Sequence, residues 1–265
     1  MSSAHAAVKH ELLVRCLDAW TPAALHGHKR VTYVDCSRDG ASAAAALRVF
    51  GEFADLLERH TLTMVGFLSA VPDAPPGLAL RSIRDSDELA AAVPKGSPVF
   101  GWFDGFPVPS LVASHKASEV LAVSSTPPDF PYSCRVELVD AAGQLEPLTF
   151  GTSSEKALEK FKDELWALDE YAGIRLRDPA DPDGTLLDIS VRPNPGPLRR
   201  CLLAEVARTE GSTVADLRSW ALHETIFRVA DVTKALQALV TSGAVAREPD
   251  AGRLSPTTRI HRPAR

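Results

Sequence analysis

No two cysteines in this sequence stand at Cys-x-x-Cys spacing, and no cysteine–histidine cluster has the spacing of zinc ligands. The four cysteines, Cys16, Cys36, Cys134 and Cys201, are widely scattered and read as reduced thiols of a cytoplasmic protein. Long apolar runs are missing too. None reaches the roughly 18–20 residues of a membrane span, so no membrane contact is expected. The first apolar stretch is broken by Lys9, His10 and Glu11, which argues against a signal peptide. Gly-x-Ser-x-Gly is absent, as is a Walker-type loop, and no Ser/His/Asp triad can be assembled. The eight histidines share no helical spacing, and His26-Gly-His28 reads as a flexible loop pair, not a metal site.

What is present is enough chain for one large or two smaller domains: 265 residues, 45% hydrophobic and 24% charged. The net charge of −5 is unevenly spread. Residues 196–265 hold 11 Lys+Arg against 7 Asp+Glu, whereas residues 1–195 hold 18 against 27. An acidic body with a basic tail fits a nucleic-acid contact made by the tail, or an ordinary surface of mixed charge.

The pattern along the chain predicts alternating strands and helices. Lys9 to Trp20 reads as a helix stopped by Thr21-Pro22. Val31 to Val34 reads as a buried strand ended by Asp35, and Gly40 to His60 as the next helix. Leu62–Leu68, Leu78–Ile83, Pro98–Phe103 and Glu119–Ser124 follow as strands, with a capped helix at Asp85 or Ser86 to Val93. Cys134–Val139 and Leu145–Phe150 flank a Gly turn as a hairpin. A helix then runs from Ser153 or Ser154 to about Tyr171, and Leu186–Val191 forms a last strand. This alternation predicts a Rossmann-like, three-layer α/β domain over residues 1–191.

Arg192-Pro-Asn-Pro-Gly-Pro197 reads as a linker. Beyond it, residues 198–265 carry three helical patterns: Leu198–Thr209, a segment capped by Ser212 or Thr213 with Asp216, and Val229–Ser242. Val245 to Leu254 reads as two short strands around an Asp-Ala-Gly turn. Three helices and a hairpin in this order predict an α+β winged helix-turn-helix.

Several stretches together resemble the three-Cys-motif partner family (TcmP). They are Lys9-His-Glu-Leu-Leu13 with Leu17-Asp-Ala-Trp20, the strand Val31 to Asp35, and Phe103-Asp-Gly-Phe106. Further on come Leu148-Thr-Phe-Gly-Thr152 with Lys156 to Trp166, then Leu222 to Phe227 and Leu254 to Ile260. The pieces keep the family's order over almost the whole chain. The resemblance implies a methyltransferase-like domain joined to a winged helix, and a radical-SAM-like partner protein with three cysteines. S-adenosylmethionine is the cofactor that a retained pocket of this kind would bind. At the first turn, however, only Asp35 and Gly40 match the family's glycine-rich pattern. The ends of the later strands are altered as well, at Gly66-Phe-Leu-Ser69, Asp104-Gly-Phe106 and Ser124-Ser125. These changes predict a degenerate pocket that holds no cofactor, with a methyltransferase-like enzyme using an atypical turn as the alternative.

The candidate site residues follow. Asp35 and Gly40 are the cofactor-binding candidates, although a carboxylate at a strand end also serves as a helix cap. Asp104 is the candidate catalytic base, although Asp-Gly is also a turn former. Arg38 and Asp39 pair with each other or close the pocket. In the tail, Arg228, Lys234 and Gln237 lie off the apolar stripe of the third helix, where they suit a DNA major groove. Arg247, Arg253, Arg259 and Arg262 suit a basic wing on the phosphate backbone. The same module also suits docking to a partner protein.

Overall fold

The structure, a computed structural model, describes residues 3–37, 40–67, 74–94, 96–113, 117–126, 129–168, 173–191 and 193–263. Arg38 and Asp39 lie outside the described residues. The chain opens with a long helix, α1 (Ser3–Gly27), which runs through the predicted stop. Pro22 sits inside it. The hydroxyl of Thr21 bonds the Leu17 carbonyl at 2.6 Å, and Ala24 and Leu25 continue the buried face beyond the proline. Burial of that last turn outweighs the one backbone bond that proline removes.

Then follow β1 (Arg30–Cys36), α2 (Ala41–Glu52), the short α3 (Ala54–Leu57), β2 (Thr61–Gly66), β3 (Leu78–Ser82) and α4 (Ser86–Ala92). Next come β4 (Val99–Phe103), α5 (Ser110–Ala113), β5 (Ser118–Ala122), β6 (Tyr132–Val139), β7 (Leu145–Thr152) and α6 (Glu155–Trp166). β8 (Arg175–Arg177) and β9 (Leu186–Asp188) complete a nine-stranded sheet in the order β3-β2-β1-β4-β5-β7-β6-β8-β9. β1 to β5 are mutually parallel, and β7, β6, β8 and β9 extend the sheet by antiparallel pairs. β8 is too short and too charged to announce itself in the sequence. It is held by register with β6 and by an Arg177–Glu137 ion pair.

The parallel strands are buried on both faces because helices cover both. Tyr33, Met64, Phe100, Trp102 and Leu121 point into one apolar cluster, shared with α1, α2 and α6. Val34, Val65, Val99, Phe103, Val120 and Ala122 alternate with them and pack in a second cluster with Leu89 of α4 and Val112 of α5. The strand order reverses between β1 and β4, which makes their C-terminal ends the topological switch point.

The tail contains α7 (Pro195–Arg208), β10 (Ser212–Thr213), α8 (Val214–Glu224), α9 (Val229–Thr241), β11 (Ala246–Glu248) and β12 (Arg259–His261). Two expectations change here. The proline cluster is not all linker: α7 begins at Pro195, with Asn194 capping through Gly196 N–H, because proline fits the first helical turn. The strand that pairs with β11 is not the one beside the Asp-Ala-Gly turn but β12, further on, which also pairs β10. The capping box of Thr213 and Asp216 forms as expected.

Candidate functional site

At the switch point, Tyr33 and Asp35 sit two residues apart on β1 and so point to the same side of the sheet. Both are buried. The phenol of Tyr33 donates to Asp35 Oδ2 at 2.9 Å, and the hydroxyls of Ser37 and Ser42 donate to Oδ1 at 2.7 and 3.0 Å. Ser42 lies in the first turn of α2, so the carboxylate ties the strand end to the helix that follows. Gly40 stands between them at φ 65°, a left-handed conformation in which a side chain would be strained. Burial, then the charge of Asp35, push the Tyr33 phenol well above its ordinary range and the Cys36 thiol up to about 12. Both groups are therefore held protonated, Tyr33 as a donor to Asp35 and Cys36 as a buried thiol and not a nucleophile.

The neighbouring strand end is occupied as well. Asp104 follows β4, and its backbone N–H still pairs with the Cys36 carbonyl at 2.9 Å. Its carboxylate accepts from Lys9 Nζ at 2.8 Å. Lys9 comes from α1, is 1% exposed, and also bonds Glu146 of β7 at 2.9 Å. Four residues earlier on α1, His5 reaches the Leu138 carbonyl at 3.2 Å and stands 4.0 Å from Asp140. The other Glu146 oxygen is buried with no hydrogen-bond partner among the described residues. Asp104, the candidate base, is thus committed to an ion pair with a buried ammonium, an arrangement costly to break.

On the opposite face of the same edge, Phe67 follows β2 and stacks on Phe106, with ring centroids 4.7 Å apart. They line an apolar cavity of about 270 Å3 with Cys36, Leu89, Phe103 and two prolines. At the end of β2 a methyl on Gly66 would stand 2.7 Å from the Asp35 carbonyl, so the two strands close up there. Among the described residues no group of three metal-binding side chains exists, and no helix is long and apolar enough to cross a membrane.

A second polar constellation joins the sheet domain to the tail. Lys162 of α6, fully buried, donates to the carbonyls of Ala221, Leu222 and Thr225 at the C-terminal end of α8. Those carbonyls are among the ones a helix leaves unpaired, and an ammonium also complements the helix dipole. Trp166 Nε1–H bonds the Ile226 carbonyl at 2.8 Å, and its ring stacks on Phe227 at 5.7 Å. Ile226 N–H donates to Asp178.

The tail candidates separate into two groups. Arg228 stands just before α9, its side chain donating to Asp231 at 2.8 Å and to the Val191 carbonyl at 2.8 Å, so it is held inside the chain and not presented to a duplex. Arg247 is 7% exposed and donates to the carbonyls of Pro249, Ala251, Gly252 and Arg253. It folds the loop between β11 and β12 and is not a free surface cation, which corrects its expected role on a basic wing. Lys234, Gln237, Arg253, Arg259 and Arg262 are exposed. Lys234 and Gln237 are three residues apart on α9 and share a face.

Sequence reasoning singled out Asp35 and Asp104 but missed Lys9, Glu146 and Lys162 as members of polar clusters. Both lysines carried a signal: each falls on the apolar stripe of its helix, Lys9 with Leu12, Leu13 and Cys16, and Lys162 with Leu158, Leu165 and Trp166. A lysine in such a position is buried only when paired. Segments far apart in sequence meet in space. Lys9 pairs with Asp104, Phe150 stacks on Phe161 at 4.3 Å, and Lys162 and Trp166 hold residues 221–227. Comparisons with family models, with curated proteins and with solved structures return no match for this chain.

Proposed function

We propose that this chain is a divergent, non-catalytic relative of the three-Cys-motif partner family. In this reading a Rossmann-like, methyltransferase-like domain serves as the scaffold for a C-terminal winged helix that contacts nucleic acid. One observation carries it: both carboxylates at the switch point are taken up by the chain's own side chains, Asp35 by three hydroxyls and Asp104 by Lys9. A ligand entering there meets satisfied groups and two stacked phenylalanines. The exposed face of Lys234 and Gln237, with Arg253 and Arg259, is what the tail then presents to a duplex. The radical-SAM-like partner belongs to the same reading, through the family resemblance.

The test is a gel shift of the full chain on random duplex over a salt series. Binding that weakens steeply with salt is expected, since phosphate contacts release counterions. Absent or salt-independent binding removes the nucleic-acid role and leaves partner docking.

A second reading, an S-adenosylmethionine-binding enzyme with an atypical turn, has one observation in its favour. Asp35 and the left-handed Gly40 keep the strand–turn–helix frame beside the switch point. Calorimetry with S-adenosylmethionine separates the two. Saturable heat at millimolar ligand favours the enzyme, and its absence favours the scaffold.

A further inference from the structure

At the other end of the parallel strands lies a cavity of about 230 Å3 between α1 and α6. β5 forms its floor through Glu119, and Phe150 of β7 lies beside it. Cys16, Ala19, Trp20 and Ala23 form the α1 wall, and Ala157, Lys160, Phe161 and Glu164 the α6 wall. The alanines leave open a space that longer side chains would fill. Glu119 shares the side of Leu121 and so faces the helices. Among the described residues no hydrogen bond or ion pair reaches its carboxylate, in contrast with Asp35 and Asp104. Two lysines line the cavity. Lys160 is paired with Glu164 at 2.6 Å, and Lys156 is exposed.

A half-buried carboxylate with no paired counter-charge among the described residues is costly, and a cation that desolvates with it recovers that cost. The desolvation is visible in Glu119, which burial pushes up to about 7, and in Cys16, which burial and then the charges of Glu119 and Glu164 push well above the usual thiol range. The cavity therefore combines apolar and aromatic walls with a negative floor. Its volume is below the roughly 300–1,000 Å3 of pockets for drug-sized ligands, so the occupant is fragment-sized.

We propose that this cavity binds a small apolar primary amine, with Glu119 as the counter-ion and Trp20, Phe150 and Phe161 around the ligand's apolar body. The aromatic faces favour the same charge. The protonated Cys16 thiol makes it a wall residue and not a nucleophile. The site is distinct from the switch point and does not depend on what the tail contacts.

Ligand-observed NMR and calorimetry on the full chain test this with phenethylamine as the probe and 3-phenylpropionate as its anionic counterpart. The amine is expected to bind one per chain, with Glu119→Gln weakening it at least about tenfold. Ala157→Phe, which fills the cavity from α6, is expected to abolish binding, and this second variant keeps the proposal testable if Glu119→Gln does not fold. The proposal is overturned if the amine binds Glu119→Gln as well as the parent chain, if Ala157→Phe leaves its binding intact, if 3-phenylpropionate binds better, or if millimolar amine does not bind.

Discussion

Asp35 and Glu119 are both acidic side chains near strand ends on the same side of one sheet, yet their surroundings are opposite. Asp35, at the C-terminal end of β1, is buried under three hydroxyl donors. Glu119, near the N-terminal end of β5, faces a cavity with no partner among the described residues. The fold places ligand sites at the first of these ends, but in this chain the carboxylates of the first end are taken up by the chain's own donors, and that of the second is not. A fold-level expectation of where a site lies is thus overridden by side chains that satisfy one another.

The comparison can be broken at its strongest structural link first. Lys162→Met removes an ammonium and leaves the carbonyls of Leu222 and Thr225 buried without that donor, while Ala221 keeps only the Thr225 hydroxyl. A loss of about 3–5 kcal/mol in urea unfolding is expected. A loss under about 1 kcal/mol would mean that water or a small shift satisfies those carbonyls. Next in size, Asp35→Ala strands the phenol of Tyr33 and one serine hydroxyl, since Ser37 and Ser42 also bond each other, and should cost about 2–3 kcal/mol. No change in the response to S-adenosylmethionine is expected alongside it. Lowered ligand affinity at unchanged stability would return Asp35 to a cofactor role.

Glu119 gives the opposite sign. Its folded-state pKa of about 7 lies above the ordinary 4.5, so the folded chain holds this proton more tightly than the unfolded chain does. Its contribution is fully present below about pH 4.5 and is lost as the pH rises through 7. The groups lining the same cavity are Cys16 on α1, the exposed Lys156 on α6, and the Lys160–Glu164 ion pair on α6; among the described residues none pairs with Glu119. Glu119→Gln should therefore stabilise the chain at pH 8 by about 1–2 kcal/mol, with the difference vanishing near pH 5. Stability measured at both pH values checks this, and a destabilised variant at pH 8 would mean that the carboxylate has a partner. The smallest effect concerns the tail. Lys234→Ala and Arg259→Ala should each weaken duplex binding by about 1 kcal/mol and lower the salt slope by about one, with unfolding unchanged. Arg247→Ala should instead loosen the loop after β11, which thermal unfolding reads directly.

Much of the architecture was legible in periodicity. The apolar runs at β1, β2, β4 and β5, the amphipathic α6, the hairpin of β6 and β7 and the capping box of α8 all follow from local pattern, because burial on two faces and helical repeat leave direct marks in sequence. The boundaries that slipped did so where tertiary contacts outweighed local signals. α1 passes Pro22 because its next turn is buried, α7 uses its prolines as a first turn, and β11 pairs with β12, not with the residues next to its turn. Of the candidate site, the sequence marked Asp35 and Asp104 by position alone. Their partners come from 95 residues away for Lys9 with Asp104, and from within seven residues for Asp35.

By itself, then, the sequence determined which segments become strands and helices, that a basic tail follows an acidic body, and which carboxylates stand at strand ends. Tertiary structure alone decided which of those charges are spent inside the molecule. Lys9 and Lys162 show in the sequence only as lysines on apolar stripes, and Arg247 as a wing cation, until the fold brings carboxylates and carbonyls to them. Glu119 reads as an ordinary strand residue until α1 and α6 take away its water and bring no donor. The reason is physical: hydrogen-bonding and apolar period act between near neighbours in sequence, whereas desolvation and charge pairing depend on groups that only the folded chain places together.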